Sequence, residues 1–347
     1  MGVLIGVILH ALGGFASGSF YIPYKKVKGW SWESYWLTGG LFSWIFAPLI
    51  FGLATVNDLF GILSEAPGES IFWCYVMGIL WGIGGLTFGL SMRYLGLSLG
   101  MSIALGYCSF FGTIIPPLWY GTLSELFESM SGIMILAGLF VCLGGIAICG
   151  WAGMRKEKEL PEEKKKETIK EFNYFKGLMV ATFSGIMSSC MAFGLAAGKP
   201  IAELAIARGA DPLWQNNVVL VVVLLGGLTS NFAWSVYLNI RNGSGRDYFN
   251  KETPLLSNYI FCAMAGTTWY LQFFFYGMGS SQMGKYDFSS WTLHMAFIII
   301  FSNLWGLYFR EWKGSTPQTF RIMIIGIAVV ILSTIVVGYG NYLGSFE

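Results

Sequence analysis

Three runs of residues carry side chains suited to holding a small polar molecule. Asp287, Trp291 and His294 recur at i, i+4 and i+7, and Trp269, Gln272 and Tyr276 at i, i+3 and i+7. Near the start, His10, Gly14, Ser17, Tyr21 and Tyr24 keep the same kind of spacing. On a helix each set shares one face. Amides and neutral imidazoles exchange hydrogen bonds with hydroxyl groups, while indole and phenol faces cover the C–H faces of a ring. The chemistry on offer is recognition of a neutral, hydroxyl-rich ligand. Asp287, at the start of its run, is the carboxylate best placed to take up a proton. Glu33 is a second candidate, and His294 can bond a hydroxyl or relay a proton.

Plainer readings stand beside these. Each aromatic could serve an interfacial belt or ordinary packing, and Gln272 could make an interhelical hydrogen bond. Asp287 could cap its helix or pair with Lys285; Glu33 could pair with Lys25, Lys26 or Lys28. Lys199 and Glu203 read as a solvated pair or a gate.

The elements that must position these residues are ten long apolar stretches, near 2–22, 34–54, 70–90, 96–116, 131–151, 176–197, 215–238, 256–278, 289–309 and 321–340. Each is long enough to cross a hydrocarbon layer of about 30 Å as a helix. The hydrophobic fraction is 55% and the charged fraction 12%, too apolar for a water-soluble domain of this length. Eighteen of the 21 Lys and Arg fall in or beside the odd-numbered gaps, leaving Lys199, Arg208 and Lys285 in the even ones. The acids do not discriminate. That asymmetry is the positive-inside pattern, so the basic gaps are expected in the cytoplasm and both termini outside the inner membrane. The first stretch has no basic residues before it and Lys25, Lys26 and Lys28 after it, so it is read as a span rather than a cleaved leader.

The middles of the spans are almost free of acids and bases. This argues against cargo of high charge, which needs buried counter-charge, and against membrane enzymes that gather His and carboxylates on facing helices. No cofactor, metal or nucleic acid is expected. The six cysteines all lie in spans without metal or redox spacing and read as small apolar residues.

The stretch from Arg155 to Glu171, rich in Lys and Glu, reads as a cytoplasmic linker. It divides the chain into 1–151, a linker at 152–175, and 176–347, with five spans on each side. Halves with an odd number of spans sit inverted relative to each other, the plan of transporters that hold cargo near the midplane. Gly85 with Gly89, and Gly96 with Gly100, have spacing that allows helices to approach closely. Pro48, Pro116 and Pro117 are expected to shape span ends.

At these same residues the chain resembles the bacterial L-rhamnose–proton symporter family of the drug/metabolite transporter superfamily. The strings that carry the resemblance are YIPYKKVKGWSWE from Tyr21, MRYLGLSLGMSIALG from Met92, WYLQFFFY from Trp269 and YDFSSWTLHMAF from Tyr286. Shorter echoes are WGIG at Trp81, KP at Lys199, DPLW at Asp211 and EW at Glu311. The resemblance runs colinearly through most of the chain. It implies an all-α polytopic membrane protein of ten helices in two inverted five-helix repeats, importing L-rhamnose with a proton. Carried onto this chain, it implicates Trp269, Tyr270, Gln272, Tyr276, Asp287, Trp291 and His294. Span 7, span 10, the outer loop after span 4 and the linker match the family poorly. An exporter of amphipathic metabolites and a Na+-coupled sugar carrier are the alternatives. A monomer is favoured.

Overall fold

The computed structural model describes residues 2–95, 97–159 and 173–346. Gly96 and most of the expected linker, 160–172, lie outside the described residues. Lipid offers the backbone no partner but itself, so apolar segments close their hydrogen bonds internally as helices. Among the described residues, ten long helices coincide with the ten apolar stretches: α1 Gly2–Ser19, α2 Trp32–Thr55, α3 Gly68–Leu95, α4 Leu97–Trp119, α5 Met130–Glu159, α6 Tyr174–Ala197, α7 Asn216–Asn242, α8 Leu255–Ser280, α9 Ser290–Tyr308 and α10 Pro317–Gly344. No strand occurs among the described residues.

Nine of these helices are long and apolar enough to cross a membrane; α8 is the exception. Its length of 26 residues suffices, but Asn258, Thr267, Thr268 and Gln272 lower its hydropathy. Asn258 and Gln272 are buried inside the bundle, so the polarity of α8 is spent on protein rather than lipid.

Loop contacts sort the helix ends into two sets. At one end, Lys25 lies 4.0 Å from Glu311 and the Ser31 amide donates to Asp247 at 2.7 Å. There too the Asn173 amide donates to the Tyr94 carbonyl at 3.2 Å, and Glu159 accepts from the Thr316 amide at 2.8 Å. All five basic gaps therefore meet at that end. At the other, Arg208 pairs with Asp58 and Glu65, Lys199 with Asp287, and Lys285 with Glu125. The helices alternate in direction, as the charge pattern requires.

Glycines set the closest crossings. A Cβ on Gly266 of α8 would collide with the Gly39 backbone of α2, and one on Gly226 of α7 with the backbone of α3 at Tyr75 and Gly78. Gly100 packs likewise against the backbone at Ser91 and Met92. Gly85 and Gly89 differ from expectation: a Cβ on either would meet nothing within 4 Å. Two further differences concern segment ends. α5 continues through Glu159, so the first part of the expected linker is helical. Pro48 sits inside α2 rather than at its end, after a π-helical turn at Phe42–Phe46. Proline has no N–H to give, and the Ala47 amide before it bonds Phe42 in the wider register. Pro116 and Pro117 do fall in the last turn of α4. All six cysteines are free thiols.

Candidate functional site

A cavity of about 460 Å3 opens at the end opposite the basic loops. Gly112 and Pro116 of α4, Asn216 of α7, Tyr276 and Ser280 of α8, and Asp287 line it. Asp287 lies in a 3₁₀ turn, Gly284–Ser289, that leads into α9. The turn breaks regular helix at Tyr286 and brings the carboxylate to the cavity instead of extending the α9 face. Asn216 donates to the Gly277 carbonyl at 2.8 Å and so ties α7 to α8 beside the cavity.

Asp287 pairs with Lys199 at 2.9 Å. Lys199 begins the short helix Lys199–Ala207, which follows α6 directly after Gly198. The ion pair therefore bridges the elements leading out of α6 and into α9. Lys285, the sequence neighbour considered as a partner for Asp287, pairs with Glu125 at 3.0 Å instead. The Tyr120 hydroxyl, raised above its ordinary pKa by burial, donates to the Ala196 carbonyl at 3.0 Å on the same rim.

Tyr276 joins the cavity to the protein interior. Its ring lies 5.3 Å from His10 of α1, 5.3 Å from His294 and 5.6 Å from Trp291 of α9. Both histidines are fully buried, and none of their four ring nitrogens has a hydrogen-bond partner among the described residues. Buried polar groups ordinarily find partners, and leaving one unpaired costs on the order of 1–3 kcal/mol. This is the strongest sign of a ligand subsite in the bundle. Gln272 is also buried, and Gly13 fits between its backbone carbonyl and the His294 ring. Trp291 spends its indole N–H on the Cys108 carbonyl at 3.0 Å and seats against Gly112, where a Cβ would overlap its ring.

The structure thus gathers His10, Gln272, Tyr276, Asp287, Trp291 and His294 from three helices and one turn. It does not bring the other three candidates to this place. Trp269 packs against Phe20 at 4.0 Å and Trp36 at 5.1 Å, in an aromatic cluster nearer the basic end. Tyr21 is exposed and stands 5.2 Å from Phe20. Glu33 lies at the basic end, accepting from Asn242 at 2.9 Å and Ser244 at 2.6 Å; no pair with Lys25, Lys26 or Lys28 forms. Sequence reasoning gave Lys199 a different partner and passed over Asn216 and Gly112. The KP pair at Lys199 was the one available signal.

Comparison with known proteins gives the family of sequences this chain resembles. The family model described as L-rhamnose-proton symport protein (RhaT) matches residues 1–342. L-rhamnose-proton symporters of Yersinia pestis, Yersinia pseudotuberculosis and Cronobacter sakazakii are each 36% identical over 342 residues, 97% of this chain and 98% of their own length.

Proposed function

The chain belongs to the L-rhamnose-proton symport protein family, and on that premise we propose that it imports L-rhamnose, or a closely related neutral 6-deoxy sugar, with a proton by alternating access. The observation that carries the sugar reading is the pair of buried imidazoles beneath Tyr276. Two neutral imidazoles offer two donors and two acceptors, the complement of sugar hydroxyls, and Tyr276 and Trp291 supply aromatic faces for its C–H surface. The imidazoles, Tyr276 and Trp291 carry no formal charge, which suits a neutral cargo, and Asp287 stands apart from them at the rim, paired with Lys199.

We assign proton coupling to Asp287. Its carboxylate holds Lys199 across the rim. Protonation removes the charge and with it the ion pair, freeing the element after α6 from the turn before α9. Low pH outside thereby favours a loosened rim, and deprotonation toward the cytoplasm restores the pair. One proton moving through roughly 150 mV supplies about 3.5 kcal/mol, enough for on the order of a few hundredfold accumulation. Glu33, already held by Asn242 and Ser244, is assigned to joining α2 to the end of α7.

The repeats are 1–151 and 176–347 in this reading, inverted about an axis in the membrane plane. Helix packing supports it. Exchanging each helix with the one five places along carries α1 on α8 into α6 on α3, α1 on α9 into α6 on α4, and α2 on α8 into α7 on α3. The last two packings share glycine crossings, Gly39 with Gly266 and Gly226 with Gly78. All ten helices cross, the basic end faces the cytoplasm, and both termini are periplasmic in the inner membrane. The protein acts as a monomer.

The test is uptake of labelled L-rhamnose into proteoliposomes under an imposed pH gradient. Accumulation abolished by a protonophore is expected; accumulation that ignores the protonophore would remove proton symport.

A further inference from the structure

A second cavity, of about 280 Å3, lies at the basic end between α4, α5 and α9. It is lined by Met101 and Leu105 of α4, Ile298 and Ser302 of α9, and Cys149 and Gly153 of α5. Polar groups collect at its mouth, where Lys156 stands over the Trp312 ring at 4.8 Å.

The two cavities share two helix faces. On α4, Met101, Leu105, Cys108, Gly112 and Pro116 are spaced i, i+4, i+7, i+11 and i+15, one continuous stripe. Its first two residues line the basic-end cavity and its last two the outer one. On α9, Trp291, His294, Ile298 and Ser302 form the matching stripe. Between the cavities the seam is closed over a short stretch. Trp291 donates to the Cys108 carbonyl at 3.0 Å, and the Thr113 and Thr292 hydroxyls bond at 2.7 Å. On the basic side of that closure the stripes diverge around the cavity, with Ser102, Ser302 and Asn303 offering hydroxyl and amide groups.

We propose that the α4–α9 seam is the path of the sugar, that the Trp291–Cys108 and Thr113–Thr292 contacts are its central barrier, and that the basic-end cavity is the vestibule into which the sugar is released. This rests on the transport reading above. A sugar held by His10 and His294 already touches the α9 stripe. α9 runs inward from the outer cavity, so Trp291 and Thr292 precede His294. Parting the two hydrogen bonds connects the outer cavity to that site, and one turn further Ile298 leads to the vestibule, whose charged lining residues are Lys156 and Glu311. Trp291 then has a double part: it covers the sugar and closes the way behind it.

The experiment fills the vestibule and reads binding and transport separately. Ser102→Trp and Ser302→Trp are each expected to cut L-rhamnose uptake into proteoliposomes by about tenfold or more, while binding by the detergent-solubilised protein stays within about threefold. Gly144→Trp on α5, where a Cβ meets nothing within 4 Å, is expected to transport like the parent. Should a tryptophan variant fail to fold, unaltered protein decides through Cys149, the one thiol among the six that is not buried. Its rate of maleimide labelling is expected to change at least about threefold when saturating L-rhamnose shifts the vestibule's exposure. Parental uptake by both filled variants, or labelling of Cys149 indifferent to the sugar, overturns the proposal. Absence of uptake by the parent protein removes the functional reading instead, a distinguishable failure.

Discussion

Tyr276 stands at the boundary between the open cavity and two imidazoles that bond nothing around them. An unpartnered buried imidazole is a cost to the fold that a bound hydroxyl group offsets. Replacing His294 with alanine should therefore weaken L-rhamnose binding by about 1–2 kcal/mol, roughly five- to thirtyfold. Binding titration checks this, and unchanged affinity would take His294 out of the subsite. Asp287→Asn removes the group that can lose a proton while keeping its shape. Uptake by this variant should run downhill but no longer concentrate sugar against its gradient. Gradient-driven accumulation with the parent's pH dependence would show that coupling lies elsewhere. At this scale the sequence was partly legible. Spacing along one helix placed Trp291 with His294, because that relation is local. The partner of Asp287 was not legible: Lys285 is two residues away in sequence, yet the turn at Tyr286 directs Asp287 to Lys199, far off along the chain. For the same reason Trp269 and Tyr276, on one helix face, sit in different aromatic clusters once α1 and α2 pack against them.

The helices themselves were legible almost throughout, since an apolar run of spanning length has few alternatives in lipid. Their departures have local causes. α5 runs past the apolar stretch because Glu159 reaches the start of α10, accepting from the Thr316 amide and from the Thr316 and Thr319 hydroxyls. Acceptors at a helix N-terminus satisfy amides that the helix leaves unpaired. Close approach was harder to read, since small-residue spacing identifies glycines without saying what faces them. Gly226 meets backbone, whereas Gly144 meets open space. Gly226→Ala should accordingly force α3 and α7 apart, costing about 1–3 kcal/mol and lowering the Tm of the purified protein by several degrees. Gly144→Ala should leave Tm unchanged. Equal Tm for the two variants would mean that the α3–α7 crossing yields to the extra methyl group.

The whole molecule is a bundle whose two ends differ in charge and whose helices alternate between them. Basic gaps distant in sequence converge at one end, an arrangement that the count of Lys and Arg foreshadowed and that loop contacts complete. The sidedness proposed from that asymmetry has a direct test. A Glu128→Cys variant should be labelled by a membrane-impermeant maleimide in spheroplasts, and Glu252→Cys only after permeabilisation. The reverse pattern would invert the assigned sidedness. The central claim, that this bundle moves a neutral sugar with a proton, is tested most directly by labelled L-rhamnose uptake into proteoliposomes carrying only this protein. With the outside acidified, internal sugar should rise above the external concentration and collapse on addition of a protonophore. Equilibration without accumulation, or no uptake at all, would contradict it.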